Sequence, residues 1–150
     1  MTMLQESVRV SQVLTALQDI LANHKPQRLY FANVELGDLT LRTVDTRQLS
    51  MADCRMANLQ GTITFIIYNT LDQAIQAQAF GSEYDNPGRQ QHLDIQLPAV
   101  IAANSLGSIT VPLSDSAFPF MGVRVTPQVL PGTGTVRAKA LYQRWTEVEL

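Results

Sequence analysis

The chain has one cysteine, Cys54, among 150 residues. A lone thiol excludes an internal disulfide, and by itself it cannot build a metal cluster. Such usage fits assembly in a reducing cytoplasm. Two histidines, His24 and His92, are too few for a zinc site, which needs three or four ligands at short spacing. Charge is equally scarce. Only 16% of residues are charged, against about 25% in an ordinary globular protein. Lys25 and Lys139 are the only lysines, and the formal net charge is −2. Neutralising phosphates takes a basic stripe, so the sequence points away from nucleic acid as a partner. There is no apolar run of 18 residues to span a membrane, and no signal pattern at the N-terminus.

Motifs of chemistry are missing too. No serine sits in a G-x-S-x-G elbow, and there is neither a phosphate-binding loop nor a dinucleotide glycine run. Asp and Glu are too dispersed to suggest a glycosidase pair. Cys54 has the surroundings of a small core residue rather than of a nucleophile. The sequence therefore nominates no catalytic residue, no metal and no cofactor.

Periodicity is what the chain does have. Residues 4–24 carry Val10, Val13, Leu14, Leu17, Ile20 and Leu21 at the i, i+3, i+4, i+7 spacing of an amphipathic helix. Lys25-Pro26 ends it. This stripe either covers the chain's own core or serves as an arm on a neighbouring subunit. Two domains follow from that pattern: a helical arm and linker over 1–28, and a β domain over 29–150.

Residues 29–60 allow two readings. One is a set of strands, Leu29–Phe31, Val34–Leu36 and Leu39–Leu41, with Gly37-Asp38 as a tight hairpin turn. The other is a five-residue period through Leu29, Val34, Leu39, Val44, Leu49, Cys54 and Leu59. The pair Ala52-Asp53-Cys54-Arg55-Met56 and Ala57-Asn58-Leu59-Gln60-Gly61 resembles pentapeptide-repeat proteins, which implies a short square solenoid.

Beyond Gly61 the alternation is that of strands. Ile63, Phe65 and Ile67 share one face, and Gln73–Phe80 reads as a return strand in a hairpin. Leu93, Ile95 and Leu97 form a strand stopped by Pro98. Ile109, Val111 and Leu113 form another. Val123 and Val125, then Val136, Ala138, Ala140 and Tyr142, mark two strands joined by a Pro/Gly-rich turn, expected as a closing hairpin. One helix and six or more strands predict a mainly β protein: an antiparallel β-sandwich or jelly roll with one N-terminal amphipathic α-helix.

Two surface elements are candidates for contact. The polar loop Gly81–Gln91 offers Glu83, Tyr84, Asp85, Asn86 and Arg89 to a ligand or to a subunit. Tyr142 and Trp145 either anchor the tail or form an aromatic platform.

The runs Phe118-Pro119-Phe120, Gly122-Val123-Arg124-Val125-Thr126 and Pro131-Gly132-Thr133-Gly134-Thr135-Val136 resemble the closing hairpin of small β-sandwich virion proteins of tailed bacteriophages. Thr64-Phe65-Ile66-Ile67-Tyr68-Asn69 resembles an early hairpin of the same type. The resemblance covers about residues 61–142. It implies a non-enzymatic head decoration (cement), tail or baseplate component, assembled in the host cytoplasm and resident in the virion. Its partners would be its own copies, as a homo-oligomer with a trimer among the options, and a capsid or tail protein. The competing readings are a carbohydrate-binding β-sandwich module using Tyr84 or Trp145, and a pentapeptide-repeat-like interaction protein.

Overall fold

Ile63, Phe65 and Ile67 alternate with Thr62, Thr64 and Ile66, so one face of this segment seeks a core while the other carries hydroxyls. The same rule, applied along the chain, builds two sheets. The computed structural model describes residues 3–23, 27–85, 93–116 and 118–147. Helix α1 covers Met3–Asn23. The strands are β1 (Gln27–Leu39), β2 (Arg47–Gln48), β3 (Ala52–Asp53), β4 (Thr62–Asn69), β5 (Ile75–Ser82), β6 (Leu93–Ile101), β7 (Ser105–Pro112), β8 (Phe120–Pro127) and β9 (Val136–Glu147). A single turn, α2 (Leu113–Ser116), separates β7 from β8. Two units are distinguished: Leu29–Trp145, which holds the β layers, and residues 1–28 with 146–150.

One sheet has the order β1-β9-β4-β7; the other runs β2-β8-β5-β6, with β3 also on β8. β2 and β3 act as one interrupted strand along β8. Counted so, every strand of the first half pairs with its mirror in the second: β5 with β6, β4 with β7, β2 and β3 with β8, β1 with β9. This is a long antiparallel ribbon rolled into two layers, the jelly-roll arrangement. The sandwich with its N-terminal helix is thus the fold class that the sequence indicates.

The core lies between the layers. Ile63, Phe65, Ile67, Val136, Ala138, Ala140 and Tyr142 face inward from one sheet; Ile75, Ala77, Ala79, Val123 and Val125 face inward from the other. Large and small residues alternate across strands: Phe65 lies opposite Ala140, and Ile67 opposite Ala138. That pairing lets side chains from the two layers interdigitate at crystal-like density.

Several expectations of pairing are corrected. β4 and β5 are not a hairpin; they belong to different sheets, and the turn between them crosses the core's end. Asn69 holds that crossing. Its Nδ2 donates to the carbonyls of Gln73 (3.1 Å), Ile101 (3.3 Å) and Ala102 (3.0 Å), while Oδ1 accepts from Leu71 N–H (3.1 Å). β8 and β9 also lie in different sheets, so the expected closing hairpin is a second crossing loop. The two loops stack. Thr70 N–H donates to Thr135 O (2.9 Å), and Gly132 N–H to Asp72 Oδ1 (3.0 Å). Gly134, at φ +88°, lies where a Cβ would fall 2.0 Å from the Thr70 carbonyl oxygen, so only glycine fits. Asparagine, glycine and proline marked these turns correctly, but a turn residue does not say whether its flanking strands stay in one layer.

Gly37-Asp38 is not a hairpin turn either. β1 runs through both residues, with Gly37 at φ +114°. Nor does Pro98 stop its strand: β6 continues to Ile101 through a bulge, where Ala77 faces Ala99 but Ala79 faces Ile95. An edge strand can carry a proline there because no ladder bond is lost. The solenoid reading fails on burial. Leu49 and Cys54 are buried, but Leu29, Val44 and Leu59 of the same five-residue series are exposed. A solenoid would turn every one of them inward.

Candidate functional site

Three surfaces and one tie between the layers stand out. The tie begins at β3. Asp53 accepts from Arg55 Nε (3.0 Å) and Nη2 (2.6 Å), and the Arg55 guanidinium lies 5.3 Å from the Phe120 ring centre. These charge-assisted bonds from Arg55 hold the Asp53 carboxyl below its usual range. The Asp53 carbonyl accepts from the hydroxyl of Tyr142 (2.9 Å). Tyr142 is buried on β9, so this bond links the two sheets. Burial pushes the neighbouring Cys54 thiol up to about 12, which keeps it protonated and unreactive.

The first surface is the outer face of the β2-β8-β5-β6 sheet. Gln76 and Gln78 of β5 stand opposite Thr126 and Arg124 of β8. Arg124 pairs with Asp94 of β6 and lies 5.6 Å from the centre of the Phe80 ring. Thr46 and Thr126 share a hydroxyl hydrogen bond of 2.8 Å. Thr46, Gln76, Gln78, Asp94, Arg124 and Thr126, with Pro98, line a polar groove of about 200 Å³. Amides, hydroxyls and a half-neutralised ion pair are suited to hydroxyl-rich ligands. None of these residues was singled out from sequence as a site. The signal was present, since Gln76, Gln78, Arg124 and Thr126 occupy the polar parity of two strands. Their convergence with Thr46 and Asp94 depends on strand order.

The second surface is the outer face of the β1-β9-β4-β7 sheet. Phe31, Gly61, Thr62, Thr64, Leu141 and Gln143 line a groove of about 350 Å³. Phe31 is 66% exposed. Arg137 lies 4.6 Å from the Tyr68 ring centre and reaches Glu35 at 3.8 Å.

The third surface is α1. Val10, Val13, Leu14 and Leu17 are all more than half exposed. The side chains of Ile20 and Leu21 lie outside the described residues.

The loop candidates are partly placed. Glu83 and Asp85 are exposed. Tyr84 is tied down: its N–H donates to Ser82 Oγ (3.1 Å), and that hydroxyl donates to Tyr84 O (2.9 Å). Asn86 and Arg89 lie outside the described residues. Tyr142 and Trp145 do not form a platform. Three residues apart on β9, they point to opposite faces. Trp145 is exposed, and its backbone N–H donates to Met56 O (2.7 Å). Among the described residues, no three His, Cys, Asp or Glu side chains gather as a metal site, and no helix is long and apolar enough to cross a membrane.

No family model matches the chain, and no curated protein matches it. Solved structures do. The chain is similar to the PBSX exported protein XepA at 14% identity and a TM-score of 0.56, over 79% of this chain and 39% of that one. Its length therefore spans well under half of XepA. A protein of the disulfide-linked pili of Bacillus endospore appendages overlaps at 14% identity and a TM-score of 0.43, over 80% of this chain and 90% of that one. A carbohydrate-binding module of the β-sandwich superfamily overlaps at 14% and 0.40, over 83% and 56%. The last two superpose too loosely to carry weight. The overlap with XepA shows a shared double-sheet fold.

Proposed function

We propose that the chain is a non-enzymatic structural subunit of a phage-like particle, a head decoration or tail/baseplate component that works through subunit contacts. The observation that carries this reading is the unspent apolar surface. The core is sealed between the sheets, yet Val10, Val13, Leu14 and Leu17 on α1, and Leu29, Tyr30 and Phe31 on β1, all remain at least one-third exposed. An exposed apolar stripe, on the helix and on the strand each taken by itself, marks contact with other proteins. The phage resemblance of residues 61–142 supplies the setting; its partners are copies of itself and a capsid or tail protein. The test is assembly. Light scattering should find a stable oligomer, and deletion of residues 1–26 should weaken it while far-UV circular dichroism keeps its β signature. A monodisperse monomer absent from particle fractions overturns the reading.

A second reading is carbohydrate binding, favoured by the polar groove around Gln78 and Arg124 rather than by Tyr84 or Trp145. A glycan array on the wild type and on Gln76→Ala separates the two functions: loss of a glycan signal in the variant, with assembly intact, favours the second.

A further inference from the structure

Sheet edges expose unpaired N–H and C=O groups, and proteins that remain single close them. Three of the four edges here are closed. β2 and β3 are only two residues each. β6 is bulged at Gln96, which has φ 64°, and carries Pro98. On β7, Gln96 Nε2 donates to the Thr110 carbonyl (3.0 Å), and the strand ends at Pro112. β1 is different. It is 13 residues long, with neither proline nor lysine. Among the described residues, the side away from β9 is met only at Leu36, whose carbonyl accepts from Ser50 N–H (2.8 Å).

We propose that the open edge of β1, Gln27–Glu35, pairs antiparallel with the same segment of a second copy, two-fold about Phe31. This rests on reading the chain as an assembling subunit, and it names the surface and the partner.

Three observations choose this register. The open segment begins with the strand at Gln27 and ends before the capped Leu36, so its midpoint is Phe31. Full overlap of two copies therefore places Phe31 opposite Phe31. Next, the bond at Leu36 sets the phase. Groups that point to an edge recur every second residue, so Val34, Ala32, Tyr30 and Arg28 also point outward. About Phe31, Arg28 then faces Val34 and Tyr30 faces Ala32, outward groups against outward groups, for about eight backbone hydrogen bonds. Finally, no like charges meet: Arg28 lies against Val34 and Glu35 against Gln27. A two-fold pairing of identical edges needs one surface only, the commonest route to a symmetric oligomer. The exposed Leu29 and Phe31 on one face and Tyr30 on the other then find cross-strand partners.

Phe31 would sit in a pair without mutual hydrogen bonds, where Cα atoms are about 4.5 Å apart, within disulfide reach. The native thiol does not interfere, because Cys54 is buried. The experiment uses the full chain with Phe31→Cys, Leu106→Cys on the β7 edge, and Phe31→Lys. Mild oxidation should convert Phe31→Cys to a covalent dimer on a non-reducing gel, and leave Leu106→Cys single. Phe31→Lys sets two cations face to face and should reduce the scattering mass by about half, with circular dichroism unchanged; if this variant does not fold, the cysteine result decides. An oligomeric wild type whose Phe31→Cys form does not cross-link overturns the edge pairing and leaves the subunit reading standing. A mixed disulfide between Phe31→Cys and Leu106→Cys also overturns it, because β1 then meets the next copy's β7. A wild type that is monomeric at every concentration overturns both.

Discussion

The two flanks of the sandwich close by opposite means. On the β6–β7 flank the backbone itself is sealed. Gln78 Nε2 donates into the β6 bulge, to the carbonyls of Ile95 (3.0 Å) and Gln96 (2.9 Å), and to the carbonyl of Ala79 on its own strand (2.9 Å). Gln96 reaches across to Thr110 in the other sheet. Gly107 of β7 comes so near Ile101 of β6 that a Cβ would fall 2.7 Å from it. On the opposite flank scattered bonds join the layers: Ser50 N–H to Leu36 O, Tyr142 hydroxyl to Asp53 O, and, from the segment after β3 to β9, Asn58 N–H to Gln143 O and Trp145 N–H to Met56 O. There β2 and β3 are fragments, and β1 extends past them with Leu29, Tyr30 and Phe31 in the open. One flank thus seals its own backbone groups, whereas the other leaves a long strand edge in the open.

Breaking the closed flank should have the largest effect on stability. Gln78→Ala leaves the bulge carbonyls short of a donor at a partly buried site, and is expected to cost about 2 kcal/mol. Urea unfolding should show a lower midpoint at unchanged slope. The freed β6 edge should also raise turbidity on storage. A variant as stable as wild type would mean that the glutamine does not seal the bulge.

Tyr142→Phe tests the open flank. It removes one hydroxyl bond between the layers and nothing else, so a loss of about 1 kcal/mol is expected, again by urea unfolding. A loss larger than that of Gln78→Ala would reverse the comparison. The smallest effect concerns pH. Arg55 lowers the carboxyl of Asp53 in the folded state, so the pair stabilises the fold above the unfolded value of about 3.9. That contribution is lost as pH falls through the lower folded value. Asp53 is solvated, so Asp53→Asn should lower the melting temperature only slightly at neutral pH, and the variant and wild-type profiles should converge as pH falls below the folded value of Asp53.

Much of this architecture was legible from residues. The alternation in 62–68, 109–113, 123–126 and 136–142 placed the core side chains correctly, because a strand's two faces are set by its own period of two. The helix was readable for the same reason, from its period of 3.6. Partners were not. Asn69-Thr70-Leu71-Asp72 and Pro131-Gly132-Thr133-Gly134 carry hairpin-like turn chemistry, yet both cross between sheets. The polar groove was half visible in Gln76, Gln78, Arg124 and Thr126. Asp94 and Thr46 join it only because β6 and β2 flank the same two strands. The five-residue series through Leu29 and Cys54 was misleading, since spacing alone says nothing of the side on which a neighbour lies.

By itself, then, the sequence determined which side chains point inward and that the chain makes a layered β protein behind one helix, since burial patterns are written residue by residue. Tertiary structure decided which strands are neighbours, which edges are sealed and where β1 is left open. Those outcomes depend on hydrogen bonds between separate elements, such as Ser50 with Leu36 and Gln96 with Thr110, each pair 14 positions apart, and no local pattern encodes them.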